Sequence, residues 1–237
     1  MAQSFFIWNG IDCRSKGVIM RGPAPIVRAE ERVKHVEIPG RAGDLTETEG
    51  QDIYNSYIQT ATISVIGGYN VRNIYKWLRG SGFVTFSGEP DRKQAARIIG
   101  AITLNRISRN MDRWAGEVQF YCQPLKQLIQ ENKVTITSSG TVVRNSGDVT
   151  AKPLWKVTAS GSTVVVTAGG KTLTCTDYTS GQVLLIDSET LTIYNSDQTA
   201  DWTKWSSGEF PELAVGNNMI TGSGWSSIEI EKRERFL

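Results

Sequence analysis

Histidine is almost missing from this chain: His35 is alone among 237 residues. A Ser/His/Asp or Cys/His catalyst would have to be built on that residue, and its neighbours Lys34 and Val36 offer nothing to a metal. His35 therefore reads as a half-exposed strand residue, and no metal or cofactor is expected. No serine sits in G-x-S-x-G, and neither glycine-rich phosphate cradle, G-x-x-x-x-G-K-[ST] nor G-x-G-x-x-G, occurs. Gly67-Gly68 reads as an ordinary strand-to-helix turn. Cysteine is scarce too: Cys13, Cys122 and Cys175 are far apart, form no C-x-x-C and cannot all pair, which fits a reducing compartment. The N-x-S/T sequon is absent. Apolar runs such as Val183 to Ile186 stop at about four residues, against the ~20 a membrane helix needs, so no membrane span is expected. Met1 to Gly10 lacks the cationic and apolar regions of a signal peptide, so synthesis in the cytosol is expected.

The formal net charge is only +2, but a split near residue 137 gives +5 in front and −3 behind. The front charges alternate in sign, as in Arg28-Ala29-Glu30-Glu31-Arg32, rather than forming a basic stripe, so direct nucleic-acid recognition is not expected.

What is abundant is β-pattern. With 39% hydrophobic and 21% charged residues the chain is an ordinary globular one. Asn9-Gly10 between Phe5–Ile7 and Ile11 predicts a hairpin with a type I′ turn. Pro39-Gly40-Arg41-Ala42-Gly43-Asp44 predicts an exposed, charged turn after a strand containing Val36 and Ile38. Tyr57, Ala61, Ile63 and Val65 share one parity, a half-buried strand. Val71, Ile74, Tyr75 and Leu78 follow helical spacing, with Asn70 as cap and Gly80 beyond, predicting a helix over 71–79. Gly82 to Phe86, Arg97 to Ile107, and a strand through Val118, Phe120 and Cys122 ending at Pro124 complete the first part. Pro124 to Gln130 reads as a crossing segment between domains.

Beyond it, short Val- and Thr-rich runs recur about every ten residues: Val134–Thr137, Leu154–Val157, Val164–Thr167, Val183–Ile186, Leu191–Tyr194 and Ile228–Ile230. Gly, Asn and Asp fill the gaps, which predicts an antiparallel sandwich or jelly roll. The expected division is a domain over 1–130 and a second over 131–237.

Two constellations invite chemistry. Asp187 and Glu189 share one face of a strand, and paired carboxylates are what glycoside hydrolysis needs. The same residues also read as a turn entry, and no second acidic strand accompanies them. Trp202, Trp205 and Trp225 could supply a docking or sugar-stacking face, an alternative reading as a carbohydrate-binding module for cell-wall glycans; the competing reading is core and interface.

The ordered series Phe6-Ile7-Trp8-Asn9-Gly10-Ile11-Asp12, Gly17-Val18, Pro25-Ile26, Glu30-Glu31-Arg32 and Ile38-Pro39-Gly40-Arg41-Ala42-Gly43-Asp44-Leu45-Thr46 resembles the start of siphophage distal tail (Dit) proteins. The likeness continues through Phe86 to Arg92, Phe120 to Pro124, Asn145 to Pro153, Ile186 to Glu189, Gly208 to Leu213 and Gly216 to Asn218. The resemblance implies a mostly β, non-enzymatic virion protein at the distal end of a phage tail. Its first domain would be a tail-tube-like β-sandwich or split barrel with one α-helix, assembling into a homo-hexameric ring. Its second would be a galectin-like β-sandwich outside the ring, without the histidine-containing sugar motif, since no histidine follows position 35. Implied partners are a tail-tube protein, a tail-associated tip protein and a receptor-binding protein. Arg41, Asp44, Arg92 and Arg97, charged and within or beside those motifs, are the candidate ring or tube contacts, with ordinary solvated charge as the competing reading.

Overall fold

The computed structural model describes residues 4–23, 25–66, 71–108, 112–131 and 133–237. It divides into two compact units, Met1–Ile129 with Leu237, and Gln130–Phe236.

Unit 1 contains β1 (Phe6–Trp8), β2 (Ile11–Asp12), β3 (Val18–Met20), β4 (Val33–Val36), β5 (Leu45–Thr48), β6 (Tyr57–Ile66), α1 (Val71–Trp77), β7 (Ser81–Phe86), β8 (Arg92–Ile99), β9 (Leu104–Ser108) and β10 (Arg113–Leu128). Its main sheet runs β2-β1-β7-β8-β10-β6-β3, with β9 also paired to β10, and curls into a half-barrel. The first turn follows from its residues. Asn9 and Gly10 both have positive φ (50° and 78°), the requirement of a type I′ hairpin, and Trp8 faces Ile11 across it. Asn9 Oδ1 then accepts the Phe83 N–H at 2.9 Å, and a Cβ on Gly82 would stand 1.7 Å from that oxygen, so only glycine fits there.

Alternation decides which face is buried. Val118, Phe120 and Cys122 of β10 are buried while Glu117, Gln119 and Tyr121 face solvent, and Ala61, Ile63 and Val65 of β6 match them. Phe120 is the hub of an aromatic cluster, with ring centroids 5.4 Å from Phe6, 5.6 Å from Trp8 and 5.6 Å from Phe86; Trp77 stacks on Phe6 at 5.8 Å. Ile74 of the helix and Leu78 just beyond its end, whose N–H still donates to the Ile74 carbonyl, are buried in this core.

Three local expectations are corrected. The strand expected to end at Pro124 continues to Leu128: its pairing with β8 breaks between Cys122 and Lys126, and this bulge accommodates a proline that could not donate to a regular ladder. Pro124 to Leu128 is therefore sheet, not a crossing segment. The single strand expected over Arg97 to Ile107 is two, β8 and β9, interrupted at Gly100, whose φ of 72° turns the chain. The helix ends at Trp77, and its expected cap Asn70 lies outside the described residues, as does Gly67-Gly68.

Unit 2 contains β11 (Lys133–Ile136), β12 (Thr141–Asn145), β13 (Leu154–Ala159), β14 (Thr163–Ala168), β15 (Lys171–Thr176), β16 (Val183–Asp187), β17 (Thr192–Asn195), β18 (Trp205–Gly208), β19 (Gly216–Ser223) and β20 (Trp225–Glu231). They form two five-stranded sheets, β11-β20-β13-β16-β17 and β12-β19-β14-β15-β18, with antiparallel pairing throughout. Trp155, Val157, Ile228 and Ile230 from one and Val164, Val166, Leu173 and Ile220 from the other share one core, the arrangement of a β-sandwich. The buried indole of Trp155 is satisfied by the Ser188 hydroxyl at 3.0 Å, which itself donates to the Pro211 carbonyl.

Candidate functional site

The most conspicuous feature of unit 1 is a two-stranded arm. β4 and β5 pair with each other, from Val33 opposite Thr48 to Val36 opposite Leu45, and among the described residues they belong to no other sheet. Every residue from 37 to 51 is exposed, and none between 30 and 52 is buried. His35 lies on this arm, exposed, its Nδ1 3.3 Å from the Thr46 hydroxyl.

The base of the arm is tied to the core by specific polar contacts. Arg32 N–H donates to the Ile53 carbonyl at 2.9 Å and Asn55 N–H to the Glu30 carbonyl at 2.7 Å. The strap leading into it, Pro25 to Val27, is held from below: Gln59 Nε2 donates to the Pro25 carbonyl at 2.9 Å, and Lys126 Nζ to the Val27 carbonyl at 3.0 Å. Lys126 is buried and also reaches Glu89 at 2.6 Å, whose carboxylate takes Arg92 at 2.8 Å. The body of unit 1 therefore fixes where the arm starts, while the arm itself contributes no buried side chain.

The candidate contact residues separate accordingly. Arg41 and Asp44 lie in the exposed loop at the tip of the arm. Arg97 is exposed on β8, in a lateral row with Ser81, Tyr121 and Ile58, whose side chains are exposed as well. Arg92 is instead held by Glu89 within its own subunit. The sequence pattern marks Gln59 only as a polar interruption of the Tyr57, Ala61, Ile63, Val65 parity and Lys126 as a lysine on the parity of Val118, Phe120 and Cys122, and it gives Glu89 no role in holding the strap.

In unit 2 the three tryptophans part company. Trp202 is 53% and Trp205 44% exposed, with Phe210 edge-on to Trp202 at 6.4 Å, at the margin formed by the edge strand β18. Trp225 is only 9% exposed, belongs to the core, and donates its indole N–H to the Val165 carbonyl at 3.2 Å. The expectation of a stacking face that includes Trp225 is corrected: a bulge in the pairing with β13, between Thr158 opposite Ser227 and Ala159 opposite Trp225, shifts the parity of the strand and puts Trp225 on the buried side with Ile228 and Ile230.

Asp187 and Glu189 do come together, but on arginines. Arg233 meets Asp187 at 2.8 Å and Arg235 meets Glu189 at 2.7 Å. Burial opposes ionisation of Asp187, but hydrogen bonds from Arg233 and from the Glu189 and Thr190 amides outweigh it and hold the carboxyl below the usual carboxylate range. This is the opposite of the raised acid that glycoside hydrolysis requires. Burial pushes the Cys122 and Cys175 thiols up to about 12 and raises that of Cys13, so none is an activated nucleophile. Among the described residues no cluster of three or more His, Cys, Asp or Glu side chains is placed to hold a metal, and no helix is long and apolar enough to cross a membrane.

What the two units and the arm resemble is found by shape. The chain superposes on the crystal structure of the Dit protein of phage SPP1 with a TM-score of 0.81, covering 100% of both chains at 18% sequence identity. It has the Dit fold. That protein is described as a paradigm of the hub adsorption apparatus in phages infecting Gram-positive bacteria. No family model and no curated protein sequence matches the chain. At this identity the two share backbone architecture, and the residues that would carry a common role have to be argued from this chain itself.

Proposed function

We propose that the protein is a structural distal tail protein: unit 1 closes into a homo-hexameric ring at the end of a phage tail, and unit 2 is a galectin-like docking platform. The observation that carries this reading is the superposition on the SPP1 Dit protein over the whole of both chains, both units included. A ring repeats one heterologous contact, so two different patches of each copy must meet and the rotation must close. Such a role works through shape and requires no perturbed nucleophile or acid pair, and the engaged state of Asp187 and Glu189 agrees with it. In this reading one ring face receives the tail-tube protein and the other a tail-associated tip protein, a receptor-binding protein docks outside, and the ring is built in the bacterial cytoplasm before entering the virion. Arg41, Asp44 and Arg97 are the interface residues.

Light scattering over a concentration series, with the tail-tube protein present and absent, and negative-stain images test this directly. Six-fold annuli are expected. A particle that stays monomeric at every concentration in both conditions overturns the reading.

The exposed pair Trp202 and Trp205 favours a second reading, stacking against a cell-wall sugar. Saturable binding on a glycan array, lost with Trp202→Ala, supports it; an unchanged, blank array removes it.

A further inference from the structure

Charge in unit 1 is segregated in a way that a simple front-to-back split conceals. Between Glu30 and Asp52 the chain carries seven Asp and Glu against three Lys and Arg, a net −4. The remainder of residues 1–129 carries fourteen Lys and Arg against five Asp and Glu, a net +9. The acidic stretch is the arm, and the basic remainder is the body from which it emerges.

The arm lacks what a stable hairpin needs. An isolated two-stranded hairpin is marginal in water, and this one buries none of its residues while exposing the apolar side chains of Ile38 and Leu45 beside its tip. Among the described residues Glu37, Asp44 and Glu47 have no ion-pair partner within their own chain. From the Glu31–Tyr54 bridge to the tip at Gly40, nine residues of extended chain reach about 30 Å, roughly the width of a small domain. An arm of that length can lie across a neighbour.

The body offers a surface of matching chemistry at the end of α1. An open groove of about 440 Å³ is lined by Tyr75, Leu78, Arg79, Ile98 and Ile102, together with two glycines. Arg79 lines it and Lys76 is exposed on α1 next to Tyr75, neither cation with an ion-pair partner among the described residues, and Tyr75 is 38% exposed. Apolar side chains flanked by cations are the complement of Ile38 and Leu45 flanked by Glu37, Asp44 and Glu47.

We infer that the acidic arm of one copy docks in this groove of the next copy, with Glu37, Asp44 and Glu47 opposite Lys76 and Arg79 and the tip's apolar side chains against Tyr75, Ile98 and Ile102. This rests on the ring reading and names its contact. The arm and the groove are different patches of one chain, which is what a heterologous ring contact demands, and opposite net charges bring successive copies together while opposing arm-to-arm and groove-to-groove pairing.

Charge reversal separates this contact from the ring itself. Variant one carries Glu37→Lys, Asp44→Lys and Glu47→Lys; variant two carries Lys76→Glu and Arg79→Glu. All five positions are exposed, so unchanged circular dichroism and melting are expected. Each variant alone is expected to need about a hundredfold more protein to assemble, because like charges then face each other. An equimolar mixture of the two, or one chain carrying all five changes, is expected to regain assembly, since opposite charges again meet. If the wild type forms rings while both variants assemble at the same concentration as it does, the arm contact is overturned and the ring stands. If each variant loses assembly but neither the mixture nor the combined chain regains it, the pairing of these two patches is overturned. A wild type that never assembles overturns the ring reading and this contact with it.

Discussion

Lys126 ties the strap that leads into the arm to the core of unit 1, and its replacement by methionine is a sharp test of that coupling. Its side chain is only 6% exposed, and its Nζ donates to Glu89 at 2.6 Å, to the Val27 carbonyl at 3.0 Å and to the Leu237 carbonyl at 3.4 Å. Lys126→Met keeps most of the stem and removes the ammonium. Glu89 is not stranded, because Arg92 still holds it at 2.8 Å; the penalty is therefore smaller than the ~3–5 kcal/mol of leaving a buried charge unpaired. The Val27 carbonyl loses its donor, but the adjoining cavity, lined by Pro25, Gln59, Glu89 and Arg92, has about 20 Å³, room for one water that can replace it. The 3.4 Å contact to Leu237 is at the long limit of a hydrogen bond and adds little, so what remains is the charge-assisted bond to Glu89, about 1.5–3 kcal/mol. Because the two units have separate cores, a single melting temperature would blur the effect. Hydrogen exchange followed by mass spectrometry resolves it: exchange in β6 and β10 is expected to rise about tenfold or more, by the arithmetic of ~1.4 kcal/mol per decade, and that of β13 and β20 to stay put. Trypsin cleavage after the exposed Arg28, next to the strap, is expected to quicken. If Lys126→Met leaves both exchange in unit 1 and cleavage at Arg28 at wild-type levels, the strap is held by something else.

Three other outcomes follow from side chains already described. Asp187 has a folded-state carboxyl below the ordinary range of about 3.9, so its contribution is fully present above that pH and is lost as pH falls through the lower folded value. Thermal melts of unit 2 from pH 6 to pH 2 are expected to show this loss, and Asp187→Asn to flatten it; an unchanged profile in the variant counts against the Arg233 pairing. Trp225→Ala is expected to cost about 3–5 kcal/mol in urea unfolding of unit 2, as a large core truncation does, while Trp202→Ala costs under about 0.5 kcal/mol because it is half-exposed. Equal losses would contradict the burial difference. With all three thiols buried and raised, the native protein is expected to release no colour from a disulfide reagent at pH 8 until denaturant is added. Rapid stoichiometric labelling of native protein would refute it.

Sequence reasoning was strongest where a residue's local requirement and its tertiary role coincide. Asn9-Gly10 demands a type I′ turn wherever it occurs, and the alternation Val118, Phe120, Cys122 has only one buried face to offer; both are realised. It was weakest where long-range pairing overrules local grammar. Pro124 reads as a stop, yet a bulge against β8 lets β10 run on to Leu128 and deliver Lys126 to the strap. In unit 2, the strands Thr141–Asn145, Lys171–Thr176, Trp205–Gly208 and Gly216–Ser223 escaped a reading based on Val and Ile runs. All four belong to the same sheet, where Thr and Ser occupy wet or half-wet positions, Asn145 and Asn218 are buried polar residues, and the strands are kept extended by their partners rather than by propensity. Trp225 and Trp202 are the same residue type in similar Ser- and Thr-rich surroundings, and only the sandwich decides that one fills the core and the other faces solvent. The acidic arm was countable from the start between Glu30 and Asp52, but counting it required knowing where the hairpin begins and ends. Its boundaries are set at Arg32 with Ile53 and Glu30 with Asn55, contacts more than twenty residues apart, and it is this closure that turns an alternating run of charges into one polyanionic lever on a basic body.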